Sequence, residues 1–209
     1  MEGHDDKTLG HMSMRDPLGR GFWIKRPGIA LGEVDGAADF VLFDLDGGKL
    51  EGAGGRPLEW PIHGEIYRRH GDVGAIGHTH PFHATIFSAS TAPLPPITHE
   101  ACHFGGDVPR FTAHTGLVDT QELGEMLAEC LGSANAVLQQ NHGVTFVGTT
   151  IEQATMSGLM IEKACHQMLV LKSSGLEWTV PPADELPDRM SPMPDKLAAD
   201  FFSYYLRRL

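Results

Sequence analysis

The chain has 209 residues, 41% hydrophobic and 21% charged, enough for one globular domain with a sizeable core. Sixteen Lys+Arg against 27 Asp+Glu leave a formal net charge of −11. That balance excludes a protein built to coat nucleic acid or an anionic membrane surface, because both need a basic footprint.

No run approaches the roughly 18 consecutive apolar residues of a membrane span, and the start MEGHDDKTLG carries no signal or transit pattern. Cys102, Cys130 and Cys165 are too scattered for a disulfide framework, so a reduced, cytoplasmic setting is expected. Residues 1–20 are polar, punctuated by glycine and without clear periodicity. The apolar run Phe40 to Leu45, bounded by Gly36 and Gly47-Gly48, predicts a buried strand, and Glu51 to Pro57 a Gly-rich turn. Pro61 suits the first turn of a helix through His70, with Ile62, Ile66 and Tyr67 on one side. Val73 to His78 predicts a second buried strand that breaks at His80-Pro81, followed by a helix from Pro81 to Ser88.

Asp119-Thr120-Gln121-Glu122 resembles a capping box opening a helix on which Leu123, Met126, Leu127, Cys130 and Leu131 share a face. Ala136 to Gln140 predicts a strand ending at Asn141-His142-Gly143, with Val144 to Val147 as its hairpin partner or extension. A capping box at Thr150-Ile151-Glu152-Gln153 opens the longest helix, carrying Ile161, Ala164, Cys165, Met168 and Leu169 in register. Five prolines between Pro181 and Pro194 forbid regular structure, and a short helix from Asp195 to Leu206 carries Phe201, Phe202, Tyr204 and Tyr205. The pattern is α/β, a central sheet with helices on both faces. It forms a single domain over 1–209, with 181–209 a Pro-rich segment and tail helix.

The chemistry concentrates at Gly77-His78-Thr79-His80-Pro81-Phe82-His83. Residues i and i+2 of a strand point to one face, so His78 and His80 can offer imidazoles to the same metal ion. His142, in a turn at the end of another strand, is a candidate third nitrogen ligand. Three neutral imidazoles leave a fourth position open, the pattern of a catalytic site. With 12 histidines an H-x-H pair also arises by chance; the apolar flanks and the following proline favour the ligand reading. Glu65, on the helix before the histidine strand, can reach the metal or a substrate proton, although pairing with Arg68 or Arg69 is the blander alternative.

The order Glu65, His78-Thr79-His80, Asn141-His142-Gly143 resembles the class II aldolase/adducin family, typified by fuculose-phosphate aldolase and ribulose-phosphate epimerase, over about Gly10 to Leu171. The resemblance implies a three-layer fold with a mostly antiparallel central sheet. It also implies a divalent metal on His78, His80 and His142, with Glu65 as acid/base and sometimes a fourth ligand. Zinc is the usual ion, and the same donors suit Mn, Co or Fe. It further implies a homotetramer with sites at subunit boundaries. Adducin-type relatives that have lost catalysis lack these histidines, so the resemblance implies an enzyme, with a non-catalytic adducin-like interaction domain as the rival reading.

The sequence departs from the sugar-phosphate members at their phosphate-binding turns. Gly10-His11-Met12-Ser13, Arg26-Pro27-Gly28 and Ile62-His63-Gly64 stand there, and a hydroxyl pair is absent. The stretches around His11 to Pro17, Gly21 to Arg26 and His80 to Ala84 are similar to a decarboxylase branch acting on hydroxy-carboxymuconate semialdehydes and dihydroxyphthalate. The expectation is a metal-dependent decarboxylase of a small, non-phosphorylated carboxylate, proceeding through a metal-stabilised enolate. An aldolase on a hydroxy-keto acid is the alternative. His11, Ser13, Arg15, Lys25, Arg26 and His63 are the candidate substrate-binding residues, and His83 and Tyr204 candidate catalytic acids beside Glu65.

Overall fold

The computed structural model describes residues 2–106, 108–190 and 193–208; Pro192, one of the five prolines, lies outside them. The strands are β1 (His11–Arg15), β2 (Phe22–Lys25), β3 (Phe40–Phe43), β4 (Lys49–Glu51), β5 (Ala75–Thr79), β6 (Arg110–Phe111), β7 (Ala136–Gln139) and β8 (Gly143–Gly148). The helices are α1 (Trp60–Arg69), α2 (Phe82–Ser88), α3 (His99–Cys102), α4 (Gln121–Leu131), α5 (Ile151–Ser174), α6 (Leu186–Arg189) and α7 (Asp195–Leu206). The strands form one sheet in the order β4-β3-β2-β1-β5-β8-β7-β6, antiparallel except for the β6/β7 edge pair.

The three layers follow from which strand residues are apolar on which face. Phe22, Ile24 and Ile76 turn to one side, where they pack with Ile62, Ile66 and Tyr67 of α1 and Leu127 and Leu131 of α4. Leu138, Val144 and Phe146 turn to the other, against Phe87 of α2 and Ile161, Ala164 and Met168 of α5. α7 then packs on the outside of α5 through Met156, Met193 and Ala198.

Two caps are as the sequence predicts in kind, one of them displaced. Thr150 Oγ1 accepts from Gln153 N–H at the head of α5. The cap of α4 is Thr120, accepting from Leu123 N–H, so the motif sits one residue later than an Asp119 box requires. The opening residues hold a larger difference. β1 and β2 lie in a region without legible periodicity, because β1 buries His11 and Ser13 and exposes Met14, the reverse of an ordinary half-buried strand. The short α6 also falls inside the Pro-rich stretch, tolerating Pro187 in its first turn.

Gly77 controls how closely α5 approaches the sheet. A Cβ there would lie 2.1 Å from the Phe146 ring, and one at Gly158 would lie 2.8 Å from it. The Phe146 ring fills the space between strand and helix that these two residues leave. Gly77→Ala should therefore destabilise the chain by about 1–3 kcal/mol through overpacking, read as a lower urea midpoint; an unchanged midpoint would contradict this packing.

Candidate metal centre

Three elements deliver side chains to one end of the sheet. The β1/β5/β8 register sets His11 opposite His78 and His78 opposite Thr145. His80 follows β5 on the same face, where Pro81 ends the strand and caps α2. β7 and β8 are joined through Asn141, which takes the left-handed φ of 58° that asparagine tolerates, and His142 follows it. Gly143 then permits the close approach of β8 to the end of β5: a Cβ there would lie 2.6 Å from both the His80 ring and the Thr79 carbonyl.

The fourth member is Glu59. It is the N-cap residue of α1, immediately before Trp60-Pro61, and its carboxylate leaves the helix axis toward the histidines. One ligand atom each from Glu59, His78, His80 and His142 lies within 4.8 Å of all the others. His78 Nε2 is 3.1 Å from His80 Nε2 and 3.4 Å from Glu59 Oε2, and His142 Nε2 is 3.8 Å from Glu59 Oε1. The Val118 N–H donates to Glu59 Oε1 at 2.9 Å and fixes the carboxylate. His78 is fully buried, and its Nδ1 meets Thr145 Oγ1 at 3.2 Å and the Gln139 amide at 3.3 Å.

Glu65, expected beside the histidines, is not in this cluster. It lies six residues past Glu59, about 240° further round the helix at 100° per residue, and its carboxylate accepts from Arg68 Nε at 3.1 Å. The blander reading of Glu65 is the observed one.

Electrostatics suit the cluster to a divalent cation. Burial holds the His142 imidazole down at about 4, helped by the neighbouring His78. Burial likewise lowers His80, against the pull of Asp6. Burial pushes the Glu59 carboxyl up, but the facing His78 and His142 and the Val118 N–H outweigh it and hold Glu59 at about 2. Near neutral pH His80 and His142 are neutral nitrogen donors and Glu59 is a buried carboxylate, groups that fit a borderline divalent ion.

Beside the cluster runs a buried chain of polar groups. The Tyr67 hydroxyl is 2.9 Å from Ser13 Oγ, Ser13 Oγ is 2.6 Å from His63 Nδ1, and His63 Nε2 is 2.7 Å from His11 Nδ1. The His11 ring lies 5.2 Å from that of His78. Burial keeps both rings neutral, His63 at about 3 and His11 well below its ordinary value. The chain has one polarity that satisfies every proton. Ser13 is the hydroxyl partner of Tyr67 among the described residues, so Tyr67 donates to Ser13, Ser13 to His63 Nδ1, and His63 Nε2–H to His11 Nδ1. His11 is thereby left as the tautomer carrying its proton on Nε2.

The other expected site residues are placed elsewhere. Arg15 donates to the Tyr67, His70 and Val73 carbonyls and closes the C-terminal end of α1. Lys25 is buried against the carbonyls of Thr8, Arg26 and Ile29, and Arg26 pairs with Asp39 at 3.0 Å. These cations are consumed by the backbone and by an acid partner. His83 hydrogen-bonds Glu162 at 2.6 Å and stacks on His166, and Tyr204 lies exposed on α7, accepting from Arg208.

Residues 1–169 match the Class II Aldolase and Adducin N-terminal domain. The chain belongs to this family. It is 30% identical over 205 residues to the 3,4-dihydroxyphthalate decarboxylase of Arthrobacter keyseri, covering 89% of this chain and 80% of that protein. It is 37% identical over 114 residues to a 4-hydroxy-3-prenylphenylpyruvate oxygenase/4-hydroxy-3-prenylbenzoate synthase of Streptomyces roseochromogenus subsp. oscitans, covering 54% of this chain but 41% of that protein. Among solved structures, the L-fuculose 1-phosphate aldolase from Glaciozyma antarctica PI12 superimposes with a TM-score of 0.82 at 26% identity, over 97% of this chain and 82% of that one.

Glu59→Gln should lower the divalent metal retained by the protein at least about tenfold after loading, whereas Glu65→Gln should leave it unchanged. Metal analysis after dialysis reads both, and loss of the metal in the Glu65 variant alone would return the carboxylate role to Glu65.

Proposed function

We propose that the chain is a divalent-metal-dependent decarboxylase of a small, non-phosphorylated aromatic-catabolism carboxylate of the dihydroxyphthalate or hydroxy-carboxymuconate semialdehyde type. The observation that carries the reading is the Glu59, His78, His80 and His142 cluster with the neutral His11 ring against it. The similarity to a dihydroxyphthalate decarboxylase across 89% of the chain supports it. In this reading those four residues hold the divalent ion, and their nitrogen and oxygen donors suit zinc and equally Mn, Co or Fe. The bound ion supplies Lewis-acid polarisation of substrate oxygens next to the scissile bond.

The protein's own groups then divide the remaining work. His11 Nε2–H donates to the substrate carboxylate or to the oxygen on which charge develops as CO2 leaves. Ser13 and His63 hold that tautomer. The chain behind His11 ends at Tyr67, whose phenol burial pushes well above its ordinary range, so it gives up no proton at neutral pH. His11 is therefore an electrostatic donor, and water returns the proton to the carbanion carbon once the carbon–carbon electron pair is released. A phosphorylated substrate is disfavoured: Pro57-Leu58 precede Glu59 without a hydroxyl, and Arg15, Lys25 and Arg26 are already engaged. The exposed Leu197, Phe201 and Tyr204 of α7 support assembly into a homo-oligomer.

Dihydroxyphthalate and the ring-cleavage semialdehyde of a dihydroxybenzoate are the substrates to offer, with CO2, free aldehyde and oxygen followed together. Chelator-sensitive CO2 release without oxygen uptake is expected. Aldehyde without CO2 would make the chain an aldolase, and oxygen-dependent turnover would align it with the Streptomyces oxygenase. On the active substrate, His11→Ala should lower kcat/KM about 10²–10³-fold with metal content unchanged; a rate near that of the parent would remove His11 from the substrate site.

A further inference from the structure

The segment ahead of β1 has no regular secondary structure, yet it is pinned along the sheet beside the cluster. His4 bridges Thr79 Oγ1 at 2.8 Å and the Gly158 carbonyl at 2.9 Å. Lys25 Nζ reaches the Thr8 carbonyl at 3.4 Å, and the Leu9 N–H donates to the Asp6 carbonyl at 3.0 Å. These anchors present the Asp6 carboxylate to His80 Nδ1, with which it makes a hydrogen bond. The pair is largely shielded, the Asp6 and His80 side chains being 16% and 17% exposed.

The three imidazoles of the cluster differ in how their far nitrogens are held. His78 Nδ1 meets a hydroxyl and an amide, and His142 has only the backbone of Gly116 beside its ring, its Nδ1 making no close hydrogen bond among the described residues. His80 meets a carboxylate, which can only accept, so its Nδ1 carries the proton and Nε2 is the free lone pair. That Nε2 is the atom lying 3.1 Å from His78 Nε2 within the cluster. We propose that Asp6 is a positioning residue of the metal centre, fixing the His80 ring and its tautomer so that Nε2 faces the ion. This rests on the metal reading given above and extends it to a residue of the N-terminal segment. A carboxylate on the far nitrogen also raises the basicity of the ligating one, and loss of such a partner typically costs 10–100-fold in metal affinity.

The segment has its own anchors in His4 and Lys25, so removing the Asp6 carboxylate leaves the strap in place. The test is zinc affinity of the full-length apoprotein, by competition with a chromophoric chelator, for the parent, Asp6→Ala and Asp6→Asn. Asp6→Ala should bind zinc about 10–100-fold more weakly with an unchanged apoprotein melting temperature, and Asp6→Asn, which keeps an acceptor but loses the charge, should fall between. Histidine ¹⁵N shifts of the apoprotein supply a readout that packing alone would not move. His80 should be the Nδ1–H tautomer in the parent and a mixture in Asp6→Ala. Should Asp6→Ala fail to fold, Asp6→Asn carries the comparison. Affinity within about twofold of the parent in the folded variants would overturn the role of Asp6 while leaving the metal centre intact. A parent chain that takes up no zinc would overturn the metal reading and this inference with it.

Discussion

A carboxylate buried among imidazoles is the constraint on which the rest of this molecule turns. Glu59 is 6% exposed, and burial pushes its carboxyl up. The histidines around it are themselves desolvated, and for His80 and His142 that lowers their affinity for protons. A buried negative charge facing neutral nitrogen donors is costly to leave without a cation. The fold is arranged to keep these groups together all the same. A helix N-terminus, a strand end and a hairpin turn converge from different parts of the chain, and Gly143 lets the start of β8 approach the end of β5.

The same end of the sheet explains why the surrounding polar residues are so fully committed. Arg15, Lys25 and Arg26 look free in the sequence, but each is spent on carbonyls or on Asp39. What remains beside the cluster is an uncharged relay whose proton order is dictated by the hydroxyl of Tyr67. A site recognising a substrate through one neutral N–H and one divalent ion is suited to a small oxygen-rich carboxylate. Net charge over the whole chain carries no information about such a local arrangement.

Much of this was legible before the structure. The i, i+2 spacing of His78 and His80, the proline that stops the strand, and the Asn141-His142-Gly143 turn are local signals, and they lead to three of the four members. The fourth, Glu59, is not the acid that amphipathic periodicity singles out, which is Glu65 in the helix interior beside Ile62 and Ile66. The signal is Pro61: a proline in the first helical turn places the N-cap one or two residues upstream, at Trp60 or Glu59, and of these only Glu59 carries a carboxylate. β1 was invisible for a related reason. It lines the site, so its inward face is His11 and Ser13 and its outward face Met14, and an inverted pattern reads as none. Asp6 had no sequence signal, because its partner lies 74 residues away and its segment has no periodicity.

The most direct test of the account is the anomalous difference map of crystals soaked in zinc or manganese. One peak per chain is expected, about 2.0–2.2 Å from His78, His80 and His142 Nε2 and a Glu59 oxygen. A map without a peak there, or with the ion carried by Glu65, would contradict it.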